Sequence, residues 1–243
     1  RRFAREQADE GWDVAVNPVP AYSTLGWFAD PMPSTVAAWP MTDIVGLVFH
    51  ELAHEALYVR DDSEFNEAYA TLVENEGIRR WLAHQAALGR DIVEQQQRRL
   101  LREQRKRQFL ALLVEARQRL EHVYEALPAD ELQQAKADEF SRLQKAYSET
   151  RAGWDGYRGY DAWFGRPLNN AHLAGVDTYY RFVPALRQLL KESDGDMRVF
   201  HAACRELAGL SREERHQRLT LLDAAAGRPD ERKVSGRWPG AAG

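Results

Sequence analysis

The chain has 243 residues, 44% of them hydrophobic and 29% charged, with a formal net charge of −4. That balance excludes a disordered or fibrous class and leaves no basic footprint for nucleic acid or an anionic membrane. The single cysteine, Cys204, excludes an internal disulfide framework and a cysteine-rich zinc site, so any metal must be held by histidine and carboxylate.

Residues 1–10 read as a short helical piece, and the change at Glu10 and Gly11 to Trp12, Val14, Val16 and Val19 is abrupt enough to mark a boundary or missing residues. Residues 13–28 are rich in Val, Tyr, Thr and Trp and broken by Pro18, Pro20 and Gly26, a pattern that predicts a short edge strand. Within it Tyr22, Ser23 and Thr24 are candidates to pair with a substrate backbone; the plainer reading is a packing strand bent at Gly26. After an irregular proline-marked connection, Thr42 or Asp43 can cap a helix that runs to about Tyr58, with Ile44, Leu47, Val48, Leu52 and Ala56 at helical spacing. Arg60, Asp61 and Asp62 form a turn, and Ser63 can cap a second helix that keeps its periodicity despite Gly77 and ends near Gly89.

Residues 91–127 carry a long helical pattern that Pro128 stops, and 129–152 return as a second amphipathic helix, which together predict an antiparallel hairpin. The aromatic-rich stretch 153–168 reads as a loop. Helices resume over about 169–190, with a kink expected at Pro184, then over 197–207 and 212–226. The glycine, proline and charge content of 227–243 predicts a disordered tail. His84, His122, His201 and His216 lack ligand spacing and are expected at the surface or in packing, with Cys204 a buried apolar contact. No apolar run reaches the roughly 20 residues that span a bilayer.

The chemistry concentrates in His50-Glu51-Leu52-Ala53-His54, an HExxH pattern on the first strong helix. Two histidines four apart share a helical face, so both rings can reach one ion, while Glu51 is turned to meet a water instead of the metal. Catalytic zinc usually takes a third protein ligand and leaves one position open. Two carboxylates compete for that place: Glu67, within Asn66-Glu67-Ala68-Tyr69-Ala70, and Glu74, seven residues further along the same face. We assign Glu67, with Glu74 as the alternative or as the partner of a ligand histidine. The plain alternative is a structural histidine pair with two ordinary surface carboxylates.

A further stripe follows the aromatic loop, where Asn169, His172, Val176, Tyr179 and Val183 recur at helical offsets. Either Asn169 and Asn170 cap this helix and His172 and Tyr179 are satisfied core residues, or the stripe faces the metal. In the second case Tyr179 or His172 donates to the oxyanion, and Asn169 or Asn170 orients it or grips the substrate backbone.

These residues, together with Ala21-Tyr22-Ser23-Thr24-Leu25-Gly26-Trp27, Phe65-Asn66-Glu67, Ala70-Thr71, Val73-Glu74, Pro167-Leu168-Asn169-Asn170-Ala171 and Thr178-Tyr179, are familiar in combination. The chain resembles the bacterial family of HExxH proteins of the cell envelope described as predicted aminopeptidases, over about residues 19–226. Family members carry extra sequence between the counterparts of Glu10 and Gly11. The Glu74 spacing is that of thermolysin-like gluzincins, whereas their Asn-Glu-x-x-[Ser/Ala] context belongs to Glu67. The Gly-x-Met-Glu-Asn strand with which well-known gluzincin aminopeptidases grip the substrate amine does not occur here, so exo- and endopeptidase activity both stay open.

The sequence thus leads to a mainly α, zincin-like fold. Residues 11–90 form a core with a small edge β-sheet, 91–226 a helical lobe with the long hairpin, and 227–243 a tail. The expected activity is that of a zinc metallopeptidase holding one zinc ion and acting on a peptide or protein substrate, with Glu51 as general base. The competing class is a non-catalytic zinc-binding interaction module. A cell-envelope or periplasmic place follows from the resemblance, with any membrane attachment through a segment outside this sequence.

Overall fold

A computed structural model describes residues 2–16 and 34–225, the side chains of 176–180 and 225 excepted. Ten helices are found among them: α1 (Arg2–Asp9), α2 (Met41–Ala56), α3 (Ser63–Ala87), α4 (Val93–Ala126), α5 (Ala129–Ala152), α6 (Asp161–Phe164), α7 (Asn170–Tyr180), α8 (Val183–Glu192), α9 (Met197–Ala208) and α10 (Arg212–Ala225), with one 3-10 turn at Ser34–Val36. The fold is mainly helical, and the boundaries fall where the local chemistry puts them. Gly89, at φ +75°, takes the chain out of α3 in a conformation that favours glycine. Pro128, extended at ψ 158°, separates α4 from α5.

Four expectations need correction, the first being the cap of α2: the helix starts at Met41 after Pro40, with Thr42 and Asp43 inside its first turn and no side-chain cap. No strand occurs among the described residues, so the small edge sheet is not seen there. Residues 13–16 are irregular, and 17–33, which include Tyr22, Ser23 and Thr24, lie outside the described residues. The reason at 13–16 is visible: the segment is held by side chains instead of a neighbouring strand. Asp13 Oδ2 accepts from the Asn170 backbone N–H at 3.2 Å and from Lys136 at 2.5 Å, and the Val14 carbonyl accepts from Asn169 Nδ2 at 3.0 Å. Pro184 does not kink one helix but sits in the first turn of α8, where its missing N–H leaves no hydrogen bond unmade. The cap of α3 is Asp62 and not Ser63, since Asp62 Oδ1 accepts from the Phe65 N–H at 3.2 Å.

The chain divides into two compact units, Arg1–Ala21 with Arg79–Asp177, and Tyr22–Ile78 with Thr178–Gly243. In the first, α4 and α5 pack along each other as the expected hairpin, tied by the Arg119–Glu139 ion pair at 2.6 Å. Leu113, Ala116 and Leu120 of α4 meet Phe140, Leu143 and Tyr147 of α5 in a core closed by Trp154 and Phe164. The aromatic stretch is therefore part of that core: Tyr147 stacks on Phe164 at 3.8 Å and Phe109 on Tyr160 at 4.2 Å.

The second unit is built around the first four turns of α3. Phe65, Ala68, Tyr69, Leu72 and Val73 recur at three- and four-residue spacing and pack with Phe182, Ala185 and Leu186 of the α8 region, Phe200 and Cys204 of α9, and Leu219 of α10. Cys204 is fully buried, as expected. No described helix is long and apolar enough to cross a membrane.

Candidate metal centre

The site lies in the second unit, where α2 approaches α3. Helical glycine normally costs roughly 1 kcal/mol relative to alanine, yet both helices carry one at this crossing. A Cβ on Gly77 would stand 2.5 Å from the Phe49 ring, and one on Gly46 would stand 2.9 Å from Ile78 and 3.3 Å from Glu74 Oε1. The inward residues of α2 are Gly46 and Ala53, while Val48 and Leu52, expected on the apolar face, are 39% and 51% exposed among the described residues. Two small residues seven apart thus let the helix bring its histidine face close to α3.

His50, His54 and Glu67 come together as a group that could hold a metal ion. His50 Nε2 and His54 Nε2 are 3.2 Å apart, His50 Nε2 lies 3.4 Å from Glu67 Oε2, and His54 Nε2 lies 3.6 Å from Glu67 Oε1. A tetrahedral ion with bonds of about 2.0–2.1 Å to nitrogen and oxygen has donor-to-donor edges of about 3.3–3.4 Å. The nitrogen pair is close to that edge, each histidine reaches a different oxygen of the Glu67 carboxylate at a similar distance, and the donor set of two imidazoles and a carboxylate suits zinc. Glu74 takes another place: its Oε2 accepts from His50 Nδ1 at 3.2 Å, a contact that keeps a proton on Nδ1 and makes Nε2 the nitrogen that can turn to a metal.

Burial alone would lower the pKa of His50, but hydrogen bonds and charge from Glu67 and Glu74 outweigh it and raise the imidazole to about 9. The pocket therefore favours positive charge beside its carboxylates. His54 is shifted down, by burial and by the neighbouring His50 against the pull of Glu67. Its Nδ1 is buried with no hydrogen bond among the described residues. Glu51 lies between the two histidines in sequence and is partly buried.

The remaining sequence candidates divide between the units. In the first, buried His172 shares Nδ1 with Asn169 Oδ1 at 2.7 Å and packs edge-on against Trp163. Burial and the nearby Arg166 lower its pKa. Asn170 pairs with Tyr124, and its backbone N–H takes Asp13. Tyr179 lies on α7, with its side chain outside the described residues.

Two polar clusters of the second unit were not anticipated. Fully buried Asp62 binds Arg215 Nε at 2.7 Å and His216 Nε2 at 3.0 Å, besides capping α3. These partners and the Phe65 N–H hold its carboxyl below the ordinary value in spite of burial. Next to Glu67, Asn66 is 2% exposed and makes two hydrogen bonds to Val59: Oδ1 accepts from the Val59 N–H at 2.8 Å, and Nδ2 donates to its carbonyl at 2.7 Å. His201, expected to be a plain packing residue, meets the Tyr69 hydroxyl at 2.7 Å. An aspartate just before a helix is a readable cap signal; partners more than 150 residues away are not readable from spacing.

Compared with known proteins, the chain matches the family model described as "Putative aminopeptidase" over residues 1–219. No curated protein and no solved structure matches it.

Proposed function

The chain belongs to the Putative aminopeptidase family, and on that premise we propose that it is a zinc-dependent peptidase whose metal is held by His50, His54 and Glu67. The observation that carries the reading is the convergence of His50, His54 and Glu67, with the two Nε2 atoms 3.2 Å apart and each within 3.6 Å of the Glu67 carboxylate, a donor set that suits zinc with one position left for water or substrate. When bound, zinc would polarise the scissile carbonyl and make a water more acidic.

The protein's own groups divide the remaining work. Glu51, held one residue from His50 on α2, takes the proton of the attacking water and passes it to the leaving amine. Glu74 fixes the His50 tautomer through Nδ1. Tyr179 is the proposed oxyanion donor, because a phenol remains a neutral donor up to about pH 10, and His172 is the second candidate. Tyr22, Ser23 and Thr24 are proposed to pair with the substrate backbone, with Asn169 and Asn170 on the substrate side. Asn169 already makes a contact of that kind, to the Val14 carbonyl. A cell-envelope location belongs to the same proposal and is tested by fractionation.

Purified protein is expected to carry about one zinc and to cleave members of a peptide library, losing activity to a chelator and regaining it with zinc. Cleavage of free but not blocked amino termini would identify an aminopeptidase, and internal cleavage an endopeptidase. Stoichiometric zinc with no cleavage of any peptide would contradict the enzyme reading in favour of a zinc-binding module.

A further inference from the structure

Glu67 can complete the three-residue donor set only if α3 starts at one residue and faces one way. A slip of a single residue would carry the carboxylate about 1.5 Å along the helix and about 100° around it, out of reach of both histidines. Something must therefore lock the register of α3 to the chain that leaves α2.

Asn66 is placed to do this. Its amide uses both ends on one residue, accepting from the Val59 N–H at 2.8 Å and donating to the Val59 carbonyl at 2.7 Å. That is how a neighbouring strand would hold Val59. Val59 follows His54 by five residues, and Asn66 immediately precedes Glu67. The clamp thus joins the exit of the histidine helix to the first turn of the glutamate helix by the shortest path the sequence allows. Val59 and Leu57 pack against the buried core of the unit, so the anchor itself is held. Asp62 supplies the second constraint. It caps α3 through the Phe65 N–H and is tied to Arg215 of α10, which fixes the residue at which the helix begins.

We propose that Asn66 is a positioning residue for the metal centre, its double hydrogen bond to Val59 setting the register of α3 that aims Glu67 at the His50–His54 pair. The inference rests on the zinc reading above and adds to it the means by which the third ligand is placed. An amide that merely satisfied a buried loop would affect folding stability but not the metal affinity of the folded protein.

The test is zinc affinity by chelator competition, with the visible spectrum of the cobalt(II)-loaded protein as a reporter of ligand geometry. Asn66→Leu keeps the branched skeleton and removes both hydrogen bonds, and Asn66→Ser removes them without added bulk. Tyr69→Phe, which removes the hydrogen bond to His201, controls for lost stability in the same helix. The Asn66 variants are expected to bind zinc about 10–100-fold more weakly with an altered cobalt spectrum, while Tyr69→Phe keeps wild-type affinity. Where a variant is marginally folded, the dependence of its melting temperature on zinc concentration reads the same affinity. Wild-type affinity and spectrum in both Asn66 variants would overturn the proposal. Failure of the wild type itself to bind zinc would instead overturn the metal reading, and this inference with it.

Discussion

His50 and His54 share one helical face yet differ in what their second nitrogens do. His50 Nδ1 has Glu74, whereas His54 Nδ1 is buried without a hydrogen bond among the described residues. Because the two carboxylates raise His50 to about 9, the proposed zinc binding would displace a proton from the ring at neutral pH. The two glutamates can therefore be told apart. Glu67→Gln is expected to lose zinc outright, while Glu74→Gln retains stoichiometric zinc at about 10–100-fold lower affinity. Calorimetric titrations measure both, and repeating them in buffers of different ionisation heat counts the proton released. Normal zinc in Glu67→Gln with loss in Glu74→Gln would exchange the two roles.

Between elements, the α2–α3 crossing decides the site, and Gly77 tests it. Replacing a helical glycine by alanine should gain about 0.5–1 kcal/mol of backbone propensity. At Gly77 the new methyl would stand 2.5 Å from the Phe49 ring, and overpacking of that kind costs about 1–3 kcal/mol. Gly77→Ala is thus expected to lower the melting temperature and, by displacing the residue beside His50, to weaken zinc binding. A more stable variant with unchanged zinc affinity would show that the close approach is not needed. The same crossing marks the limit of what the sequence reveals. The HExxH motif, the Asn66-Glu67 context and the stops at Gly89 and Pro128 are local signals, and each is readable from neighbours in the chain. Gly77 reads as a tolerated interruption, because the side chain it makes room for belongs to the other helix. The stripe of Val48 and Leu52 reads as a core face, but Gly46 and the two histidines of α2 face α3 instead. The Asp62–Arg215 pair, whose partners are 153 positions apart, leaves no trace in spacing.

At the scale of the molecule, the second unit ties the start of α3, the helix that carries Glu67, to α10 through an ion-pair network. Asp62 is held below its ordinary pKa, against burial, by His216, Arg215 and the Phe65 N–H. A depressed carboxyl adds stability above its unfolded value, and that contribution is lost as pH falls through the folded one. Asp62→Asn should remove this acid-dependent part and, by leaving Arg215 buried at 2% exposure without its anion, cost about 3–5 kcal/mol. Urea titrations across the acid range measure both; an unchanged profile would mean the network contributes nothing.

The claim on which the rest depends is that this chain uses zinc for catalysis with Glu51 as the base. The most direct measurement is peptide turnover beside zinc content for the wild type and Glu51→Gln. The account predicts that Glu51→Gln keeps about one zinc and its fold while turnover falls by about 10²–10⁴-fold. Equal turnover in the two proteins at equal zinc content would contradict it.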